Sequence, residues 1–356
     1  MSAIQLPKDQ YAHVGAPSEW WWHIGTISTA DGSRTFGFEI NATGITGIAS
    51  FSQISITDVQ NQIHYQSSAV FPWDANWAES DSTKAWFVNV GKAPSNGSVS
   101  MTGNDFGQKN EMSIVGEFLD AETQTPCSIN LSLHQTGPPL LVFGTGVHTD
   151  VNPQGKTPLT KNNYYYSFTR LSAVGSISMG SEKVSVVGTT WMDHEYGAFP
   201  NNFTWALQDA TLDNGTQLSS FAPPDADIKL GLAFSSFVSI IWPDGNSTFE
   251  QSVTTPLGPV WASSFPAKGK GNSYFTQYKV EVPKYNTVLL FTASMPDQEF
   301  RQQGTENPPV WEGVAIVEGT FRGEMVCGTA WIEQNFGGGA TGALRGGRAG
   351  FVDLKL

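Results

Sequence analysis

The segment WMDHEYG, residues 191–197, sets a carboxylic acid, an imidazole, a second acid and a phenol on four successive positions, Asp193, His194, Glu195 and Tyr196. These side chains move protons. An acid kept neutral by burial can protonate an electron-rich double bond, and an imidazole or carboxylate can take a proton from water. His194 and Tyr196 can also donate to a carbonyl oxygen on which charge builds. In a strand, Trp191, Asp193 and Glu195 share one face and Met192, His194 and Tyr196 the other. A second copy supplies a control: VVGTTWMDHEYG at 186–197 aligns without gaps with VCGTAWIEQNFG at 326–337. The glycines, Thr, Trp and first acid persist, whereas His194 becomes Gln334, Glu195 becomes Asn335 and Tyr196 becomes Phe336. Purely structural polar residues have little reason to lose titratability together, so Asp193–Tyr196 is the candidate catalytic group. A purely structural polar network at one end of the strand is the alternative, and the Asp193/Glu333 pair favours it.

Further candidates would line a ligand site. EWWWH at 19–23 puts Trp20 and Trp22 on one strand face, with Glu19, Trp21 and His23 on the other. One of these faces is core and the other lines a cavity or an inter-domain seam, which makes Trp22 and His23 candidates. Glu39, in FGFEIN, faces away from Phe36, Phe38 and Ile40, and is either exposed or an acid inside the cavity. Tyr166 belongs to an alternating tyrosine run, and Trp205, Gln208, Trp261 and Phe275 are the second-half candidates. No metal or cofactor is expected. The six histidines show no HExxH or tight pairing, and no G-x-S-x-G motif occurs. The glycine-rich stretch NFGGGATGALRGGRAG (335–350), read as a loop before a last strand FVDLKL, has no following helix to make a nucleotide site.

The elements that must position these groups read as all-β. Charged residues are only 14% of 356, about half the usual share, while Gly (37), Pro (20) and aromatics (12%) are abundant. Turn signals such as ADGS, SNGS, DNGT and PDGN separate alternating stretches. A second internal match, WHIGTISTADGSRTFGF (22–38) with WALQDATLDNGTQLSSF (205–221), gives each half an opening Trp-led hairpin as well as a closing GT-x-W strand. Two domains follow, 1–198 and 199–356, joined near FPNNF. The first half carries about 43 more residues, assigned to the Gly/Pro-rich segment 135–163, a candidate lid.

The net charge of −13 argues against nucleic acid and anionic membrane partners, and no apolar run approaches the roughly 20 residues needed to span a bilayer. Cys127 and Cys327 read as two small buried side chains. The start MSAIQLPKDQ lacks the apolar core of a signal peptide, yet six N-x-S/T sequons (Asn41, Asn96, Asn130, Asn202, Asn214, Asn246) fit a secreted protein whose leader was replaced by Met1. A cytoplasmic location stays open.

EWWWHIG, YYYSFTRL, GTTWMDHEYG, the W-x-L-Q at 205, PVWEGVAIVEG and GTAWIE together resemble the carotenoid 1,2-hydratase/AttH-like family, from about Glu19 to Phe336. The resemblance implies two tandem lipocalin-like antiparallel β-barrels. It also implies chemistry on hydrophobic molecules: the family hydrates isoprenoid double bonds, and its fungal relatives include a hydratase of a prenylated isoflavonoid. Fungal pericyclases on this fold form decalins, or join a tropolone quinone methide to a humulene-type sesquiterpene.

Three functions follow for a small hydrophobic substrate. A terpenoid or polyene pericyclase of secondary metabolism would orient a diene and dienophile, with His194, Tyr196 or Gln208 donating to a carbonyl and aromatic faces stacking on the flat partner. A hydratase or proton-initiated cyclase would use Asp193 to protonate an isoprenoid alkene, with Trp22 or Trp205 facing the cation and His194 or Glu195 as base. A lipocalin-like carrier would need no tuned acid and leaves the difference between DHEY and EQNF unexplained.

Overall fold

The structure is a computed structural model that describes residues 3–92, 95–104, 111–199, 205–222, 231–263, 273–301 and 310–335. The chain divides into two compact units, Met1–Phe199 and Pro200–Leu356. Both are built almost entirely of antiparallel strands, and the described residues contain a single α-helix, Pro158–Lys161. The fold is all-β, as the sequence patterning implies, with two barrel-like domains, as the family resemblance implies.

In the first unit the strands are β1 (Ser18–Ser28), β2 (Thr35–Ile45), β3 (Ala49–Asp58), β4 (Ile63–Pro72), β5 (Trp86–Val90), β6 (Ser98–Asn104), β7 (Glu111–Leu119), β8 (Pro126–Gln135), β9 (Pro139–Leu141), β10 (Val147–His148), β11 (Asn163–Met179) and β12 (Glu182–Gly197). They pair in the order β4-β3-β2-β1-β12-β11-β8-β7-β6-β5, with β9 and β10 added to β11. Two parts of the segment read as a lid belong to the wall: β9 and β10 hydrogen-bond to β11, and the helix follows before β11 begins. Pairing of backbone groups, which are costly to leave unmade, fixes them there.

The second unit contains β13 (Trp205–Leu212), β14 (Gln217–Ala222), β15 (Phe234–Ile241), β16 (Ser247–Ala262), β17 (Ser273–Val282), β18 (Thr287–Ala293), β19 (Glu299–Phe300), β20 (Val310–Phe321) and β21 (Glu324–Asn335). A β18–β20 pairing closes eight of these strands into a barrel. Each internal repeat has the same place in its unit. The hairpins β1–β2 and β13–β14 correspond, and each first strand pairs with the GT-x-W strand, β12 or β21. The register differs between copies: Trp22 lies opposite Asp193, whereas its counterpart Trp205 lies opposite Asn335, not Glu333. A slip of two residues keeps every side chain on its own face, which a slip of one would not.

Each unit has its own core. In the first, Trp21, Ile27, Phe36, Phe38, Ile40, Ala42, Tyr166, Phe168, Met192 and Tyr196 belong to one apolar cluster and occupy matching faces of four adjacent strands. In the second, Ala206, Ala210, Tyr274, Phe275, Tyr278, Trp311 and Ile332 belong to another. Close packing in the first barrel requires glycine at 44, where a Cβ would stand 2.4 Å from the Trp77 ring. At the end of β12, Gly197 has φ +109°, and a Cβ there would meet the Asn162 carbonyl at 2.4 Å. The tail from 336 onward, with FVDLKL, lies outside the described residues.

Candidate functional site

Strand alternation divides the Asp193–Tyr196 group between two faces. His194 and Tyr196 project into the first barrel, opposite Trp21 and Glu19 of β1 and Tyr166 and Tyr164 of β11. Asp193 and Glu195 project from the other side of the wall, with Trp22, Glu39 and Ser167. Of the two bases expected to act with Asp193, Glu195 shares its face, whereas His194 lies across the sheet from it.

The interior set is completed by residues from the segment preceding β1. Glu19 Oε1 accepts from both His13 Nδ1 (2.7 Å) and His194 Nε2 (2.9 Å), and Glu19 Oε2 accepts from the His13 backbone N–H (2.8 Å). His13 Nε2 lies 3.5 Å from Asp9 Oδ1. On the far side of the His194 ring, Nδ1 is 3.0 Å from the Tyr166 hydroxyl, which also meets the Gln10 side-chain carbonyl and lies 3.3 Å from the Asp9 carbonyl. The result is a continuous chain, His13–Glu19–His194–Tyr166–Gln10. Aromatic rings enclose it. Trp21 stacks on His194 with centroids 4.3 Å apart, and His13 stacks on Tyr196 at 3.5 Å, with Tyr164 on Tyr196 at 4.9 Å.

Burial sets the proton inventory. Burial alone would raise the Glu19 carboxyl, but hydrogen bonds from the two imidazoles overcome it and hold its pKa at about 2. Burial opposes charge on His13, yet Asp9 and Glu19 raise its pKa to about 9. His194 is different: burial prevails over the Glu19 hydrogen bond and lowers its pKa. At neutral pH an ionised Glu19 therefore lies between a protonated His13 and a neutral His194. Glu19 requires the His194 proton on Nε2, which leaves the Nδ1 lone pair towards Tyr166. Burial also pushes the Tyr166 phenol well above its ordinary pKa. Its single proton can go to His194 Nδ1 or to Gln10, and the two positions define two states of one relay.

On the outer face, burial raises the pKa of Asp193 against hydrogen bonds from Ser167 and from Trp191 Nε1 (2.8 Å). Burial likewise raises Glu195, with the Asp193 charge adding to it. Glu39 is fully buried on this face, so the expectation of exposure does not hold. Trp22 is half-buried beside it. His23 faces the interior with Trp21 and is fully buried.

The second-unit candidates have separate places. Gln208 projects into the second barrel, while Trp205 sits on the outer side of β13. Trp261 is half-buried and stacked on Tyr274. The Phe275 backbone holds Gln334, which accepts from Phe275 N–H (3.0 Å) and the Tyr278 hydroxyl (2.9 Å) and donates to the Phe275 carbonyl (2.7 Å). The counterpart of His194 is therefore a fastener between strands.

One ligand atom each from His13, Glu19 and His194 lie within 4.8 Å of one another, a grouping that could hold a divalent ion. In the structure these atoms satisfy one another by hydrogen bonds. Sequence reasoning missed His13, Asp9 and Gln10. The faces of β1 were legible, but nothing in MSAIQLPKDQ indicated that the segment folds onto the barrel, where Ile4, Asp9, Gln10 and Tyr11 are buried. Of the sequons, Asn41 is fully buried and bonded to Gln53 and Thr43, and Asn202 lies outside the described residues. Both cysteines are free, Cys127 buried and Cys327 exposed, the latter contrary to expectation.

The sequence matches the AttH-like family over residues 1–335. The chain belongs to the AttH-like family. The resemblance read from its motifs is thus confirmed. Sequence comparison with curated proteins finds no relative. Among solved structures, this AttH-like protein is similar to an AttH protein of Nitrosomonas europaea, with TM-score 0.68, 20% identity and coverage of 94% of this chain and 97% of that one. It is also similar to kievitone hydratase from Nectria haematococca, with TM-score 0.69, 13% identity and coverage of 93% and 92%. At such identities the likeness establishes a shared fold. No helix among the described residues is long and apolar enough to cross a membrane.

Proposed function

We propose that this AttH-like protein is an enzyme of the hydratase type, adding water reversibly to a polarised double bond of an apolar molecule inside the first barrel. The observation that carries the reading is the Glu19–His194–Tyr166 chain, with Nε2 of His194 2.9 Å from the carboxylate and Nδ1 3.0 Å from the phenol. A water beside Tyr166 gives its proton to the phenol oxygen as the phenol passes its own to His194 Nδ1. The oxygen of the water bonds to the electron-poor carbon. The resulting imidazolium is stabilised by ionised Glu19, and the same proton returns to the neighbouring carbon to complete the addition. General acid–base relays of this kind contribute on the order of 10²–10⁴-fold. Asp193 has no part in it, because it faces the other side of β12.

The similarity to a kievitone hydratase structure supports the reading at the level of fold. A second reading, cycloaddition, is favoured by the parallel Tyr164, Tyr196 and His13 rings, whose interplanar angles of 5° and 8° suit stacking on a flat partner such as a quinone methide, with a humulene-type sesquiterpene as the other reactant. Cycloaddition needs no proton relay, so hydration is preferred.

The test is mass spectrometry of trans-chalcone and β-ionone incubated with the protein in H₂¹⁸O. A product heavier by one labelled water, lost in Tyr166→Phe and His194→Gln, supports hydration. A product with the mass of two combined reactants, in mixtures of a quinone methide precursor with humulene, would support cycloaddition instead.

A further inference from the structure

Next to the relay on β1 are three buried polar atoms without partners among the described residues. Trp21 and His23 are both fully buried, and neither the Trp21 Nε1 nor either His23 ring nitrogen has a hydrogen-bond partner among the described residues. Two residues apart on one strand, they project from the same face into the first barrel. Trp21 lies opposite His194 and Ala42, and His23 opposite Met192 and Ile40. Ala42, Ile40 and Met192 are apolar, and the polar neighbours are His194, stacked on Trp21, and Gln10, whose amide meets the Met192 sulfur. Buried polar groups are almost always paired, and an unpaired one costs free energy comparable to a lost hydrogen bond. Three together, within one diagonal of a proposed base, call for a polar group that arrives with the ligand.

The required group follows from what the atoms offer. The indole N–H can only donate, and a neutral imidazole offers one donor and one acceptor. Burial keeps His23 neutral, with a pKa of about 3. An oxygen accepting from both rings satisfies two of the three atoms at once and leaves the acceptor nitrogen of His23.

We propose that Trp21 and His23 hold the carbonyl oxygen of the substrate, so that the double bond hydrated in this barrel is conjugated to a carbonyl on an otherwise apolar molecule. This rests on the reading of the first barrel as the reaction site and adds the electrophile's half of it. Water activated at Tyr166 adds to the β-carbon, the electron pair of the double bond moves onto the carbonyl oxygen, and the two N–H groups stabilise that enolate until the proton returns to the α-carbon.

Equilibrium binding separates this claim from the relay, because it needs no turnover. The probes are trans-chalcone and 1,3-diphenylpropene, which share their rings but differ in the carbonyl, titrated against the full chain by tryptophan fluorescence. Chalcone is expected to bind about ten-fold more tightly, the size of one to two hydrogen bonds. Trp21→Phe, which keeps the ring and loses the N–H, and His23→Leu should each remove most of that preference, and His23→Gln, which keeps a donor, should restore it. The carbonyl stretch of ¹³C-labelled chalcone should fall on binding and rise back in both loss variants. Tyr166→Phe should leave the preference intact even where it abolishes hydration. Equal affinity for the two probes, no binding of chalcone, or a preference unchanged in Trp21→Phe and His23→Leu overturns the proposal.

Discussion

Replacing Glu19 by Gln removes the charge on which both imidazoles converge while keeping the shape of the side chain. The rise of the His13 pKa from 6.5 to about 9 corresponds to roughly 3 kcal/mol of interaction. Asp9 and Glu19 share that shift, so about half of it leaves with the Glu19 charge. The amide also presents N–H₂ to the His13 backbone N–H, leaving a buried donor unsatisfied at about 1 kcal/mol. The expected loss of unfolding free energy is about 2–3 kcal/mol near pH 6. Its pH dependence has a fixed sign. His13 has a raised pKa in the folded state, so its contribution is fully present below 6.5 and disappears as pH climbs through 9. Glu19 has a depressed pKa, so its contribution is present above 4.5 and disappears as pH falls towards 2. Urea denaturation of wild type and Glu19→Gln between pH 5 and 10 should therefore give a difference that is largest at pH 5–6.5 and shrinks above it. A difference independent of pH across that range, or one below about 0.5 kcal/mol at pH 6, would refute the reasoning.

Other substitutions test separate parts of the account. Tyr166→Phe should reduce kcat/KM for any hydrated substrate by about 10²–10⁴-fold while changing urea stability by only about 1 kcal/mol; a smaller kinetic effect would place the water elsewhere. Asp193→Asn should change kcat/KM less than ten-fold, the opposite of what a proton-initiated reaction at that acid requires. Gln334→Leu should destabilise the second unit by about 3 kcal/mol or more, because Phe275 N–H, the Phe275 carbonyl and the Tyr278 hydroxyl all lose their partner. Thermal unfolding of that variant showing a change below 1 kcal/mol would remove its role as a fastener.

The architecture was legible because two signals agreed. Strand alternation assigned the faces of β1 and β12 correctly, and the gapless repeats revealed that each unit begins and ends with paired strands. The same alternation already separated Asp193 and Glu195 from His194 and Tyr196. What stayed hidden involved contacts distant in sequence. His13, Asp9 and Gln10 reach the site through a segment with no periodic pattern, and only the folded barrel brings Glu19 to His194. The two-residue register slip between copies was equally hidden, since a gapless alignment of sequences carries no information about which residues lie opposite each other. Glu39 shows a further limit: it faces away from the apolar cluster and is nevertheless buried, so turning from that face did not mean exposure.

The protonation state of His194 tests the central claim most directly. In ¹⁵N–¹H correlation spectra of ¹⁵N-histidine-labelled protein at pH 7, assigned with His194→Gln and His13→Gln, the relay requires His194 to be neutral with its proton on Nε2, bonded to Glu19, and its Nδ1 unprotonated, while His13 carries both protons. The Nε2 proton of His194 should shift in Glu19→Gln. A His194 protonated on Nδ1 alone, or an imidazolium at both positions at pH 7, would contradict the account, because neither could take a proton from Tyr166.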